Sequence, residues 1–219
     1  MRAQLVQKNV NNKSFAGFLA DIDSEKTDLV VFGELATSGC MYTPREVPKI
    51  DQLIQNFNGR PYAVMIGFPQ VASGSIYNSF MYYHKGEYQI YRKINLFAPM
   101  NEDKVFKPGT APGLFETKFG KIGAAICYDL RFPEVFTNLK KLGAKMIFVP
   151  AAFPRVRIAD WKNLLVQRAT ENQITFVGVN AVGDDGINEF GGSTMVVDAT
   201  GKILHQADET TEQIIEVKL

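Results

Sequence analysis

Short runs of β-branched and aromatic residues recur along the whole chain, at 3–7, 28–32, 63–68, 76–83, 87–93, 121–127, 145–149, 175–180, 193–198, 202–206 and 213–217. Side chains of these types suit a pleated, half-buried surface, so each run predicts a strand. Apolar residues at three- and four-residue spacing are confined to 15–25, 46–58, 133–142 and 159–172, which predict helices. The third helix has its ends written out. Pro133 fits a first helical position, Lys140 and Lys141 complement the negative pole, and Gly143 can take the left-handed stop. Strands dominate, some joined by Gly-containing turns and others separated by helices. The predicted fold is therefore α/β, with layered sheets whose outer faces are covered by helices. A chain of 219 residues, 46% of them hydrophobic, is sized for a single domain, 1–219, with a substantial core.

The charge balance narrows the partners. A formal net charge of +1 gives no excess of one sign to draw the chain to nucleic acid or an anionic membrane, so a small molecule is the expected partner. Residues 1–12 lack the apolar centre of a signal peptide, and no stretch approaches the roughly 20 apolar residues of a membrane span. A cytoplasmic location is expected. Cys40 and Cys127 lie far apart without a CxxC pattern and read as free thiols. With only His84 and His205, and no HExxH or paired-cysteine ligand set, no metal site is expected.

Three predicted strands end in a reactive group. In "DLVVFGELATSG" an apolar strand exits through Gly33 and leaves Glu34 at its tip, beside apolar walls that would raise a carboxyl pKa and suit it to proton transfer. In "GEYQIYRKINLF" Lys93 closes an alternating strand. In "GAAICYDLRFPE" the apolar run ends at Cys127 and Pro133 opens a helix a few residues later, a strand–turn–helix elbow. A thiol on such a turn is reachable, and the following N–H, that of Tyr128, points where an oxyanion would form. Asp129 and Arg131 are expected to pair and hold the turn. A carboxylate, an ammonium and a thiol are the ingredients of acyl transfer from an amide or nitrile. The free thiol, with a pKa near 8.5, is only a few per cent thiolate at neutral pH, so Glu34 would take its proton while Lys93 favours the thiolate. Taken singly, each has a plainer reading: a solvated cap for Glu34, a solvated strand end for Lys93, a small core residue for Cys127.

"GELATSG", "RKINLF" and "CYDLRFPE", in that order and at that spacing, resemble the nitrilase, or carbon–nitrogen hydrolase, superfamily. The resemblance extends to "RATENQITFVGVN" and "GGSTMVVDATGKIL" and so covers nearly the whole chain. It implies an α-β-β-α four-layer sandwich with mixed sheets, a homodimer, and neither metal nor organic cofactor. It also implies roles: Glu34 as general base and acid, Lys93 as the oxyanion-stabilising cation, and Cys127 as the nucleophile that carries a thioester. "NEDKVFKPG" is similar to the stretch bearing a second acid, which maps to Glu102, orienting substrate or water. Read alone, Glu102 is as readily an exposed loop acid. Gly33 stands where many members have proline, and Ser38-Gly39-Cys40 replaces a Thr-Gly-aromatic turn. The spans 8–27 and 43–62 are short for the family, and the chain stops at Leu219 without the usual tail, so trimmed helices and dimer contacts are expected.

Within the superfamily, "CYDLRFPE" with "RATENQ" resembles the ω-amidase group, whose substrates carry a carboxylate remote from the amide. The loop "PAAFPRVRIADW" follows a strand and is expected to overhang the thiol, with Arg157, or else Arg155, gripping that carboxylate through paired hydrogen bonds. Loss of such a contact, if buried, would cost on the order of 2–5 kcal/mol of binding. Phe153 and Tyr128 are expected to touch the substrate, and Trp161 to belong to the core. Lys93→Ala is expected to nearly silence turnover without unfolding the protein. Hydrolysis of an N-carbamoyl group, a non-catalytic binding protein on the same scaffold, and a redox-sensing Cys127 are the other readings. "GGSTM" lacks the final glycine of a GxSxG serine elbow.

Overall fold

The computed structural model describes residues 1–12, 15–39 and 47–219. Two six-stranded mixed sheets carry the architecture. In chain order the first takes β1 (Arg2–Gln7), β2 (Leu29–Phe32), β3 (Ala63–Ala72), β4 (Ser75–His84), β5 (Glu87–Arg92) and, from the far end, β14 (Gln213–Lys218), arranged β14-β1-β2-β3-β4-β5. The second takes β6 (Gly113–Thr117), β7 (Gly120–Ala124), β8 (Met146–Pro150), β9 (Thr175–Val179), β12 (Met195–Val197) and β13 (Ile203–Gln206), arranged β13-β12-β9-β8-β7-β6. A small hairpin, β10 (Val182–Asp184) with β11 (Glu189–Gly191), stands beside them. Each sheet has a parallel centre, β1-β2-β3 and β7-β8-β9, flanked by antiparallel strands.

Period-2 alternation divides the first sheet into two faces. Leu29 and Val31, Ala63 and Met65, Phe80 and Tyr82 share one buried cluster with Phe115, Ala124 and Val149 of the second sheet. The residues between them, Val30 and Phe32, Val64 and Ile66, Met81 and Tyr83, join Phe18 and Leu19 of α1 (Ala16–Asp21) and Leu53 of α2 (Ile50–Gln55). The Tyr82 ring stacks on Phe115 across the sheets at 6.2 Å. On the outer side of the second sheet, α4 (Pro133–Lys141) sets Phe136 against Phe176 at 5.2 Å. There α5 (Ile158–Asn172) packs Trp161 and Leu165 over Gly178, where a Cβ would come within 2.6 Å of both side chains. The order of layers is thus α-β-β-α. With each fully buried large side chain contributing about 1.5–3 kcal/mol, this double core supplies the main driving force.

Several boundaries differ from the sequence reading. The helix expected over 46–58 is α2 alone within the described residues, since Pro48 lacks the N–H a helix interior needs. The helix expected over 15–25 ends at Asp21, where Ile22 turns to extended backbone. β6 and the β10–β11 hairpin were missed, as was α3 (Glu102–Val105), a single turn too short to show periodicity. Cys40, and with it any partnership with Cys127, lies outside the described residues. Among the described residues no helix is long and apolar enough to cross a membrane, and no group of three or more His, Cys, Asp or Glu is placed to hold a metal ion.

Candidate active site

The carboxyl ends of β2, β5, β7 and β8 meet at one edge of the sandwich, the edge where open α/β sheets collect ligands. Glu34 follows β2 and Lys93 follows β5, both buried with no more than 1% exposure. Lys93 Nζ donates to Glu34 Oε1 at 2.9 Å and to both oxygens of Glu102, at 2.9 and 2.8 Å. Glu102 opens α3 and is fully buried, not the exposed loop acid it resembles when read alone. Its Oε2 also accepts the Phe97 N–H at 2.7 Å. Glu34 Oε2 accepts the Ala152 N–H, from the residue pair that follows β8, at 2.9 Å. One buried lysine is thus clasped by two acids, each also tied to the main chain.

Cys127 lies beyond the end of β7, not within it, as the first residue of a 3₁₀ turn, Cys127–Arg131. Its φ of +46° lies in the left-handed region that side chains with a Cβ seldom occupy. Such backbone persists only where its surroundings over-determine it. Here they do, through Asp129. That fully buried carboxylate accepts the Ile126 N–H and the Tyr91 hydroxyl on Oδ2, both at 2.8 Å, and the Asn95 N–H and side-chain amide on Oδ1 at 3.0 and 2.9 Å. Burial nonetheless raises the Asp129 pKa against the lowering effect of the Ile126, Tyr91 and Asn95 hydrogen bonds and the Lys93 charge. The expected Asp129–Arg131 pair is absent: a buried acid is satisfied from within, while Arg131 reaches outward to Asp160 at 2.7 Å.

The Cys127 thiol is pushed well above its ordinary pKa, first by burial and then by Glu34, with Lys93 and the Ala152 N–H pulling the other way. The resting thiol is therefore held neutral: Lys93 favours the thiolate, in the direction expected, but burial and Glu34 outweigh it. With two acids around one amine, the Glu34 charge outweighs that of Lys93 at the sulfur.

Phe97, Tyr128, Phe153, Arg131 and Arg157 wall a narrow cleft that opens on Cys127. Tyr128 packs its ring on Phe97 at 4.8 Å and edge-on to Phe132 at 5.4 Å. Its N–H lies in the first turn of the 3₁₀ segment, where helix geometry leaves donors unused. Phe153 is braced by Trp161, whose indole donates to the Ser193 carbonyl at 2.9 Å and is wholly buried. Of the two arginines weighed for a substrate carboxylate, Arg155 is ion-paired with Glu189, while Arg157 stands over the Phe97 ring at 5.9 Å, in the cleft and exposed.

Two residues at the site escaped the sequence reading. Asn78, on β4, donates from Nδ2 to Glu34 Oε1 at 2.7 Å and to Glu102 Oε1 at 2.8 Å. Its signal was present: it falls in phase with Phe80 and Tyr82, a strand-averse polar residue at a core-facing position. Gly67, on β3, lies so close to the Gly33–Leu35 backbone that a Cβ would sit 2.4 Å from the Gly33 carbonyl and 2.8 Å from the Glu34 Cα.

The sequence profile of the carbon–nitrogen hydrolase family matches residues 4–219. The chain is 33% identical over 214 residues to a 2-oxoglutaramate amidase of Bacillus subtilis (strain 168), covering 90% of this chain and 80% of that protein. It is 37% identical over 139 residues to a deaminated glutathione amidase of Dictyostelium discoideum, covering 59% of this chain and 48% of the other. The crystal structure of Saccharomyces cerevisiae Nit3, described as a member of branch 10 of the nitrilase superfamily, superposes with a TM-score of 0.85. That superposition covers 99% of this chain and 89% of the other at 27% identity. With the profile spanning nearly the whole sequence and a relative one-third identical across most of both proteins, the chain belongs to the carbon–nitrogen hydrolase family.

Proposed function

We propose that this chain hydrolyses the amide of a small carboxylated amide, in the manner of an ω-amidase, through a thioester on Cys127. The observation that carries the reading is the buried Lys93, bonded to Glu34 and Glu102, together with a thiol at the end of a narrow cleft. Cys127 Sγ adds to the amide carbonyl carbon as its proton passes to Glu34, and the carbonyl oxygen becomes an oxyanion against Lys93 and the Tyr128 N–H. Pre-aimed donors of this kind are each worth about a hundred- to thousandfold in rate. The C–N bond breaks as Glu34 returns the proton to the departing nitrogen, releasing ammonia. Water, deprotonated by Glu34 and oriented by Glu102, then adds to the thioester carbonyl. Collapse frees the carboxylic acid, and the proton returns to sulfur.

The cleft's walls support a substrate with an apolar body and an anionic end. Phe97, Tyr128 and Phe153 would flank the body, and Arg157 would take the carboxylate with paired hydrogen bonds. Two of the relatives act on 2-oxoglutaramate and deaminated glutathione by name, in keeping with that class. One catalytic domain over 1–219, a homodimer and a cytoplasmic location complete the reading; light scattering and cell fractionation test the last two. The substrate class is tested by following ammonia and carbon dioxide with 2-oxoglutaramate, succinamate, a neutral aliphatic amide and an N-carbamoyl amino acid. Ammonia from the first two, well above the neutral amide, is the expected result. Carbon dioxide from the N-carbamoyl compound as the main activity would overturn it.

A further inference from the structure

We infer that Asn78 is a positioning residue of this site, its amide holding Glu34 and Glu102 in place on either side of Lys93. The inference rests on the catalytic reading above and extends it to a residue with no assigned part. Each of two carboxylate oxygens, Glu34 Oε1 and Glu102 Oε1, is bonded both by Lys93 Nζ and by Asn78 Nδ2, at 2.7 to 2.9 Å. Two acids that repel each other are thereby bridged twice, once by an ammonium and once by an amide. Lys93 must turn an N–H toward the oxyanion as it forms, which loosens one of its carboxylate bonds. The Asn78 bridge then keeps the acids from moving apart.

The orientation of the amide is fixed by chemistry. Turned over, its carbonyl would face two carboxylate oxygens, so the NH₂ must point at the acids. Asn78 Oδ1 consequently faces the other way, buried and without a hydrogen-bond partner among the described residues. A buried unpaired acceptor lowers stability, and asparagine is disfavoured in strands, so nothing in the fold calls for this side chain. The gain lies with the acids. The Asn78 carbonyl also accepts the Lys93 N–H at 2.8 Å, a main-chain bond that any side-chain substitution leaves in place. Side-chain variants therefore isolate the amide.

The test compares Asn78→Leu and Asn78→Asp with the parent, normalising turnover of a carboxylated amide to the burst of the first turnover. Leucine removes both donors and the unpaired acceptor at similar volume; aspartate keeps the shape and presents oxygen to the two acids. For Asn78→Leu the expected result is a thermal midpoint within a few degrees of the parent, kcat per site down about a hundredfold, and KM within roughly threefold, the pattern of an interaction needed for the chemical step. Asn78→Asp should lose at least as much. Parental kcat per site in the leucine variant, whether or not its midpoint falls, would overturn the inference. Cys127→Ala, assayed alongside, separates the two readings. Turnover in Cys127→Ala would reject the catalytic reading itself, whereas an inactive Cys127→Ala beside a fully active Asn78→Leu would reject only the role of Asn78.

Discussion

The phenol of Tyr91 donates to the carboxylate of Asp129 at 2.8 Å, fastening the strand that leads into Lys93 to the turn that carries Cys127. The two reactive groups come from different sheets, and this buried contact joins their supports. Whichever way an amide were turned in place of that carboxylate, its NH₂ would face a backbone N–H, either that of Ile126 or that of Asn95. Asp129→Asn is therefore expected to destabilise the protein by about 1–3 kcal/mol, the cost of one orphaned buried donor. A denaturant midpoint shift with an unchanged slope checks it.

Lys93 is buried between two acids, so its removal is expected to cost stability as well as turnover. In place of the sequence-based expectation of an inert but folded variant, Lys93→Ala should lose about 3–5 kcal/mol of stability, because two buried acids lose their counter-ion. Adding Glu102→Gln to it should recover part of that loss without restoring turnover. Strictly additive destabilisation in urea would show that the two side chains do not act as a pair.

The neutral thiol has a pH signature. Because the folded-state pKa of Cys127 is raised, the unfolded chain releases this proton first. The thiol's contribution to stability is thus complete below the ordinary thiol value of about 8.5 and is lost as pH rises through it toward the folded value. Unfolding free energies of the parent minus those of Cys127→Ser should stay level through neutrality and fall in alkaline solution. Thiolate absorbance attributable to Cys127 in the folded protein at neutral pH would contradict this.

Arg157 is exposed in the cleft, so its hold on a carboxylate is expected to be weaker than that of a buried partner. Arg157→Ala should raise KM for a carboxylated amide about tenfold, a change of ~1.4 kcal/mol, with kcat nearly unchanged. A neutral amide should be turned over as before. An equal effect on both substrates would assign Arg157 to shaping the cleft.

Much of the site was legible because its residues stand at strand ends: Glu34 after the apolar β2 and Lys93 after the alternating β5 are visible as charged residues there. Glu102 was visible only through resemblance, since a single helical turn in a polar loop has no periodic signature. Asn78 was hidden inside a strand, where its phase with Phe80 and Tyr82 marks an inward face but not the acids it meets. Gly67 was hidden because close backbone approach across strands leaves no trace in local sequence. Asp129 was misassigned to Arg131 by proximity along the chain, whereas its partners Tyr91 and Asn95 come from the other sheet's arm. Contacts that join distant segments are what local pattern does not carry.

The central claim is that Cys127 Sγ takes the acyl group. Acid quenching during steady turnover of a carboxylated amide, followed by peptide mass spectrometry, tests it most directly. The expected result is a mass increase equal to the acyl portion on the peptide containing Cys127, discharged by hydroxylamine and absent from Cys127→Ala. A Cys127→Ala protein that still releases ammonia at the parental rate would contradict the claim, as would acylation during turnover on Cys40 and not on Cys127.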